Sequence, residues 1–183
     1  RVSFEVYPPR DQNSGESLET SIIELAKMDP TFISVTFGAG GSSTKNSLEV
    51  LKFILKNTQA AALAHLTCVG HSFLETKALV NQFMDEGITD FLALRGDPQP
   101  GMPLEPKGEL KTSSELVQLI SQVHKERGNS RSGLNVAVAT FPNGHPDSDS
   151  ISQDIQALLA KQNAGADYAI TQVFFFAADY VKF

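Results

Sequence analysis

The segment DFLALRGDP at residues 90–98 places a nearly continuous apolar run directly before an arginine, a glycine and an aspartate. Such a run is typical of a parallel strand that is covered on both faces. FISVT at 32–36 and LNVAVAT at 134–140 have the same character. The sequence therefore predicts a parallel β-sheet whose two faces are both covered.

The strand-like runs recur at a regular interval. Successive starts are separated by 30, 29, 28, 45 and 33 residues, and the first five runs are each followed by apolar residues at helical spacing. This pattern indicates a βα unit of about 30 residues, repeated along the chain. The predicted strand starts are Val2, Phe32, Ala61, Thr89, Leu134 and Asp167.

The predicted helices have their own start and stop signals. Ser72 with Glu75 and Ser150 with Gln153 fit capping boxes. A first helix is predicted at about 17–28, with Leu18, Ile22 and Leu25 buried, and a second at about 44–56, with Leu48, Leu51 and Leu55 buried. The predicted C-terminal caps are Gly87 and Gly165.

Alternating strands and helices leave two architectures open, an open doubly wound sheet and a (β/α)8 barrel. Six strands are visible in the 183 residues, whereas a barrel needs eight in typically about 250 residues. If the fold is a barrel, strands seven and eight are expected beyond residue 183. AADYVKF at 177–183 is predicted to begin a sixth helix.

Composition limits the function classes. The chain has 41% hydrophobic and 20% charged residues and a net charge of −6, which favours a globular domain and disfavours nucleic acid or anionic membrane as a partner. The single cysteine, Cys68, cannot form an internal disulfide. No apolar run reaches the roughly 20 residues of a membrane span, and no leader precedes the first strand, so a cytoplasmic protein is expected.

Polar, aromatic or ionisable side chains follow all six predicted strands. Ligands of α/β folds bind at the carboxyl ends of the strands, so these residues are the candidates for chemistry. They are Glu5, Thr36, His65, Thr67, Arg95, Asp97, Phe141, Asn143, His145, Thr171 and Gln172.

Several of these candidates also have a structural interpretation. Glu5 lies between Phe4 and Val6, where an unpaired carboxylate is costly, so we expect it to be either salt-bridged or held for acid–base chemistry. Arg95 and Asp97 flank a glycine that would let a flat ligand approach the backbone, or they form a local ion pair.

Three further motifs also leave alternatives. GAGGSS at 38–43 fits a phosphate-binding loop and an ordinary turn about equally well. HLTCVGH at 65–71 suggests zinc, but alternate residues of a strand point to opposite faces, so no metal site is predicted and Cys68 is assigned to the core. Asp154 and Lys161 lie seven residues apart on one helical face, where exposure to solvent is the default expectation. The proline-rich segment at 98–106 is expected to be a binding loop.

Six motifs, taken in order, resemble one known family. They are FEVYPPR, ISVTFGAGGS, AHLTC, LALRGDP, ATFPNGHPD and GADYAITQVFF, which run from residue 4 to residue 175. In this order they resemble the catalytic domain of the methylenetetrahydrofolate reductase family.

The resemblance implies a (β/α)8 barrel with about six of its eight βα units in residues 1–183, as one incomplete catalytic domain. It implies FAD as a non-covalent cofactor and the reduction of 5,10-methylenetetrahydrofolate to 5-methyltetrahydrofolate, a step of one-carbon metabolism and methionine biosynthesis. NADH or NADPH would reduce the flavin first and leave before the folate binds, in a ping-pong scheme. A cytoplasmic homo-oligomer is expected by the same analogy.

The resemblance also assigns roles to residues. Glu5 matches the general acid, and Asp97 matches a catalytic aspartate that contacts both flavin and folate. Gln172 matches a folate contact. The positions matching flavin contacts are Thr36, His65, Leu94, Arg95, Gly96, Asp97, Phe141, His145, Asp154 and Lys161.

Two other function classes compete with this interpretation. A barrel lyase or aldolase would need a lysine at a strand end or a converging set of metal ligands. A non-catalytic flavin- or folate-binding module would bind without oxidising NAD(P)H. The chain also departs from the family at Thr112 and Ser113, where members often have an aromatic residue followed by alanine, and at Phe176, where an aspartate is common.

Overall fold

The computed structural model describes residues 1–9, 12–37, 44–97 and 109–183. GAGGSS at 38–43 and the proline-rich segment at 98–106 lie outside these residues, so the hypotheses about them stay predictions. Strands and helices alternate throughout the part that the structure describes. In chain order they are β1 (Phe4–Val6), α1 (Gln12–Ala26), β2 (Phe32–Val35), α2 (Thr44–Asn57), β3 (Ala61–Thr67), α3 (Phe73–Asp85), β4 (Asp90–Leu94), α4 (Ser113–Glu126), β5 (Asn135–Thr140), α5 (Ile151–Asn163), β6 (Tyr168–Thr171) and α6 (Ala177–Lys182).

The six strands form one sheet in the order β1-β2-β3-β4-β5-β6. Parallel registers align Phe4 with Ile33, Phe32 with Ala61, and Ala137 with Tyr168. A doubly wound sheet reverses its strand order at a switch point, whereas a (β/α)8 barrel keeps chain order. The observed order confirms an α/β fold with six βα units and favours the barrel topology over the doubly wound one.

Contacts divide the chain into two compact units. The first unit comprises residues 1–66 and 78–91. Its core holds aromatic pairs: the rings of Phe37 and Phe83 meet edge to face at 6.2 Å, and those of Phe83 and Phe91 lie 6.5 Å apart. Ile33 and Leu51 are fully buried in the same unit.

The second unit comprises residues 67–77 and 92–183. Arg131 links the start of β5 to the start of β6, because its guanidinium donates to Gly165 O at 2.8 Å and to Asp167 Oδ2 at 2.7 Å, and the same carboxylate accepts from Val136 N. Helix α4 buries one face, whereas α5 and α6 bury no residue.

The predicted elements are confirmed with local corrections. Every strand starts within two residues of its predicted position, and α2 spans the predicted segment. Helix α1 begins at Gln12, five residues before the predicted start, because its first turns lack the apolar spacing on which the prediction depended. Leu55 was predicted to be buried but is 40% exposed, and Ile54 takes the core position instead.

The predicted helix ends are confirmed, except that the capping box predicted at Ser150 is only half formed. Ser72 and Glu75 form a capping box, since each side chain accepts from the other residue's backbone N–H. Ser150 Oγ accepts from Gln153 N, while the Gln153 side chain reaches one residue further back, to Asp149 N. Gly87 and Gly165 follow α3 and α5 with positive φ, as caps require.

Across the described ranges, none of the helices combines the length and apolar character needed to cross a membrane.

Candidate active site

Three predicted site residues of the first unit lie on or just after neighbouring strands. Glu5 lies on β1, Thr36 follows β2, and His65 lies on β3; we call them the strand-end cluster. The register pairs Val35 with Ala64, and Thr36 N donates to Val6 O at 3.2 Å, which carries the parallel alignment past the end of β2. His65 Nε2 lies 3.4 Å from Glu5 Oε2.

Two polar atoms of the strand-end cluster are buried without a partner. Thr36 and His65 are each 7% exposed, and within the described chain neither Thr36 Oγ1 nor His65 Nε2 makes a hydrogen bond. The 3.4 Å approach of His65 to Glu5 meets the distance of an ion pair but not the alignment of a hydrogen bond. Burial lowers the pKa of His65 to about 4, so the imidazole is neutral at pH 7 and the contact is not an ion pair.

Glu5 itself is more accessible than its apolar neighbours suggested. Its side chain is 48% exposed, so the expectation of a costly carboxylate buried between Phe4 and Val6 is wrong. The reason is its position on β1, a three-residue strand that comes first in the sheet order and pairs with β2. Partial exposure leaves the carboxyl able to reach a ligand and to exchange protons with solvent.

The second unit contains a cavity of about 360 Å³ beside α5, which we call the α5 cavity. Five residues predicted to contact a flavin line it, together with the N-terminal residues of α4. The five are Arg95, Phe141, His145, Asp154 and Lys161.

A network of hydrogen bonds fixes the loop that borders the α5 cavity. Asp154 accepts from His145 N at 3.1 Å and from Ser148 Oγ, and the Ser148 bond is the main reason that the pKa of Asp154 is lowered. His145 Nδ1 accepts from Asp147 N at 3.0 Å. The Phe141 ring packs edge-on against His145, with ring centres 4.5 Å apart. The backbone N–H groups of His145 and Asp147 and the Ser148 hydroxyl are therefore satisfied within this segment.

Lys161 and Arg95 also have partners within the second unit. Lys161 Nζ donates to Ala139 O at 2.8 Å, and burial lowers the pKa of its amine. Arg95 pairs with Asp147 at 3.5 Å, in place of the local ion pair with Asp97 that the sequence left open. Both side chains bond to the protein and are partly exposed, so the default expectation that Asp154 and Lys161 lie on a solvated face holds only in part.

Gly96 is required by the fold itself. Its φ is +85°, and a Cβ at this position would lie 2.9 Å from Thr67 Cβ. The missing side chain therefore makes room for Thr67, and the predicted approach of a flat ligand to this backbone stays a prediction. Leu94 is half-buried at the end of β4, while Asp97 and Gln172 are exposed just after β4 and β6.

Cys68 belongs to the core, as predicted. It is fully buried, burial raises the pKa of its thiol to about 11, and its sulfur lies 3.6 Å from Arg95 O and 3.7 Å from Thr112 O. His65, in contrast, faces Glu5. In the parts of the chain that the structure describes, no three His, Cys, Asp or Glu side chains are grouped as metal ligands.

One cap at the α5 cavity was missed by the sequence interpretation. Thr112 is the N-cap of α4 and forms a complete capping box with Glu115. The signal was present, because TSSE at 112–115 has the spacing of this motif. Thr112, one of the two residues that depart from the family pattern, thus uses its hydroxyl to cap a helix.

A larger groove of about 1060 Å³ lies between α1 and α2 in the first unit. It is lined by residues of the outer helices, such as Glu16, Lys52 and Phe53, and by none of the predicted site residues that the structure describes. Ligands of parallel α/β folds bind at the carboxyl ends of strands, so we do not assign the active site to this groove.

Comparison with solved structures defines the fold class. The chain superposes on oxaloacetate acetylhydrolase with a TM-score of 0.68 at 12% identity, covering 99% of this chain and 61% of that one. It superposes on an uncharacterized Clostridium thermocellum protein that binds two copies of 5-methyl-5,6,7,8-tetrahydrofolic acid with a TM-score of 0.63 at 13% identity, covering 98% and 58%. Similar scores relate it to 2,3-dimethylmalate lyase of the PEP mutase/isocitrate lyase superfamily. At these identities the matches show the strand–helix fold alone.

Sequence comparison identifies the family. The family model for methylenetetrahydrofolate reductase matches residues 1–183, so the chain belongs to the methylenetetrahydrofolate reductase family. It is 35% identical over 182 residues to 5,10-methylenetetrahydrofolate reductase of Escherichia coli and spans 57% of that protein's length. It is 30% identical to methylenetetrahydrofolate reductase (NADH) 1 of Arabidopsis thaliana, of which it covers 31%.

Proposed function

We propose that this chain carries the catalytic machinery of a flavin-dependent methylenetetrahydrofolate reductase. The reaction is the reduction of 5,10-methylenetetrahydrofolate to 5-methyltetrahydrofolate, with NADH or NADPH as the source of electrons. The observation that carries the proposal is the match of the family model to every residue from 1 to 183. We extend it to a cytoplasmic homo-oligomer by the same analogy.

The residues present suit FAD as the cofactor. The α5 cavity offers the cations Arg95, Lys111 and Lys161 for phosphate oxygens and the Phe141 ring for an aromatic surface. In the first unit, Thr36 Oγ1 is buried and has no hydrogen-bond partner among the described residues, and such an atom is costly unless a ligand satisfies it. We therefore propose that these residues, with His65, Leu94, Gly96, Asp97, His145 and Asp154, hold FAD. Bound FAD supplies hydride transfer, first from the nicotinamide and then to the folate.

Glu5 is proposed as the general acid. Opening the five-membered ring of the folate to a reactive iminium requires a proton at the departing nitrogen, and a carboxylic acid supplies it. The side chain is half exposed, which suits a group that must be protonated again after each turnover. Asp97, exposed just after β4, would stabilise the iminium through its negative charge, and Gln172 would bind the folate through its amide.

A ping-pong scheme makes separate predictions for the two half-reactions. The test is an anaerobic absorbance spectrum of the purified protein with FAD, recorded after addition of NADH or NADPH and again after 5,10-methylenetetrahydrofolate. The flavin bands should bleach with the nicotinamide and return with the folate, with 5-methyltetrahydrofolate detected by mass spectrometry. Flavin that bleaches but is not reoxidised would indicate a flavin-binding module without the folate reaction. A protein that takes up no FAD would contradict the flavoenzyme proposal.

A further inference from the structure

The side chain of His65 lies close to the carboxylate of Glu5. Its Nε2 lies 3.4 Å from the Glu5 Oε2 atom and has no hydrogen-bond partner in the part of the chain that the structure describes. The two residues come from β3 and β1, which flank β2 in the sheet. A small rotation of the half-exposed glutamate would align the pair as a hydrogen bond.

The histidine is held rigidly, whereas the glutamate is not. Residues 62–66 of β3 are all buried, so the imidazole is fixed by packing on both sides. Glu5 lies on a three-residue strand with about half of its side chain in solvent, where several rotamers compete. A hydrogen bond between the two would therefore restrict the carboxyl of Glu5, because the imidazole of His65 is already fixed.

The charge state of His65 suits this role. Burial keeps the imidazole neutral at pH 7, and a neutral imidazole has one N–H donor and one acceptor nitrogen. A lysine or arginine at this position would bind the carboxylate more tightly, but its permanent charge would hold that carboxylate ionised. A neutral partner can orient a group that must carry a proton for part of the cycle.

We propose that His65 is a positioning residue for Glu5, directing its carboxyl toward the strand ends through a hydrogen bond at Nε2. The kinetic consequence rests on the proposed function, in which Glu5 is the general acid. The contact itself does not depend on that function. This role is distinct from the predicted flavin contact of His65, and the two roles make different predictions.

The contact is tested by nitrogen NMR of the purified protein without cofactor or substrate. With ¹⁵N-labelled histidine, the Nε2–H tautomer of His65 should predominate near pH 7, and Glu5→Ala should shift the Nε2 resonance. The matched control is His124, a buried histidine of α4 whose Nε2 faces Ser130 O at 2.9 Å, and its resonance should not respond to Glu5→Ala. A His65 resonance that is indifferent to Glu5→Ala would overturn the proposal.

The consequence for the reaction is tested by comparing the two half-reactions at saturating FAD. In His65→Leu the folate step should slow by about tenfold more than the nicotinamide step, because a misplaced acid loses rate steeply, whereas loss of a flavin contact affects both steps. His65→Gln retains an N–H donor and should restore most of the folate step. His124→Gln serves as the control for a buried histidine outside the site. Equal loss in both steps would mean that His65 acts only through the flavin and would overturn the positioning role.

A double variant separates this proposal from the proposed function. If Glu5 is the group that His65 positions, His65→Leu should cost little further rate in a Glu5→Gln background. Fully additive losses would contradict the proposal. If the wild-type protein catalysed neither half-reaction, the proposed function would fail, and the NMR result would still decide whether His65 holds Glu5.

Discussion

The strand-end cluster of the first unit and the loop at the α5 cavity of the second differ in how their polar atoms are hydrogen-bonded. In the strand-end cluster, Thr36 Oγ1 and His65 Nε2 are buried and make no hydrogen bond to any residue that the structure describes. In the loop, Asp154 accepts two hydrogen bonds and His145 Nδ1 accepts a third. Buried polar groups cost free energy unless they are paired.

This difference separates a region that can stabilise the fold by its own hydrogen bonds from a region whose polar atoms need hydrogen-bond partners from a ligand. The loop satisfies its own polar groups, so its side chains stabilise the fold before any ligand binds. The strand-end cluster carries an unmet hydrogen-bonding requirement, so its side chains are better suited to a ligand or a reaction. Substitutions in the two regions should therefore separate activity from stability.

The largest expected effect is on activity at Glu5. Glu5→Gln should lower the rate of folate reduction at least about a hundredfold, the usual range for loss of a general acid, because glutamine cannot donate the required proton. The free energy of unfolding should change by less than about 0.5 kcal/mol, since the side chain is half exposed. Steady-state kinetics and urea unfolding measure the two quantities. The control is Glu19→Gln on the exposed face of α1, and a matching rate loss there would undermine the assignment.

The second effect is a pH dependence of stability at His65. The pKa of His65 is lowered from 6.5 to about 4 by burial, so the unfolded chain takes up this proton first as pH falls. The stability that this group contributes is therefore present above pH 6.5 and is lost as pH falls from 6.5 toward 4, by about 3 kcal/mol in full.

Urea unfolding across this pH range compares wild type with His65→Gln, and the variant should lose much of the slope. His124→Gln is the control for removal of a buried histidine. Parallel stability profiles for wild type and His65→Gln would show that His65 is not buried in its neutral form.

The third effect is on stability at Gly96 in the second unit. Gly96→Ala should lower the free energy of unfolding by about 2 to 3 kcal/mol, because the added methyl group meets Thr67 at a positive φ. Gly133→Ala isolates the backbone strain, since Gly133 has a φ of +89° and none of the described residues has an atom within 4 Å of the added carbon. It should cost only about 1 kcal/mol. If the two variants lost equal free energy of unfolding, contact with Thr67 would not explain the effect at Gly96.

The smallest effect is on stability at Asp154. Asp154→Ala should lower the free energy of unfolding by about 1 kcal/mol, because the bonds to His145 N and Ser148 Oγ are lost near the surface. Asp154→Asn keeps an acceptor and should lose less. Asp149→Ala, which removes an exposed aspartate from the same segment, is the control in the same thermal unfolding series. If Asp154→Ala were neutral, the loop would not depend on its internal network.

Local patterns in the sequence predicted most of the elements. Continuous apolar runs gave the strand starts to within two residues, and serine–glutamate spacing gave the cap at Ser72. The start of α1 could not be found in this way, because the chain there has no apolar periodicity. The choice between Ile54 and Leu55 also lay beyond the pattern, since adjacent positions on a helix differ by only about 100°.

The sequence predicted on which strands the candidate site residues lie but not the hydrogen bonds that they make. Glu5, Thr36 and His65 could be placed at strand ends from the sequence, yet their contacts depend on the register of β1, β2 and β3. The internal bonds of Lys161 depend on which carbonyl lies beneath it, in this case Ala139 O. These contacts and hydrogen bonds join residues that are far apart in the chain, so local sequence patterns do not predict them.

The most direct test of the account is rapid mixing of flavin-reduced protein with 5,10-methylenetetrahydrofolate under anaerobic conditions, for wild type and Glu5→Gln side by side. The account predicts that both proteins are reduced by NADH or NADPH at similar rates. It predicts that the wild type is then reoxidised by the folate, while Glu5→Gln is reoxidised at least about a hundredfold more slowly. Reoxidation of Glu5→Gln at the wild-type rate would contradict the role assigned to the strand-end cluster.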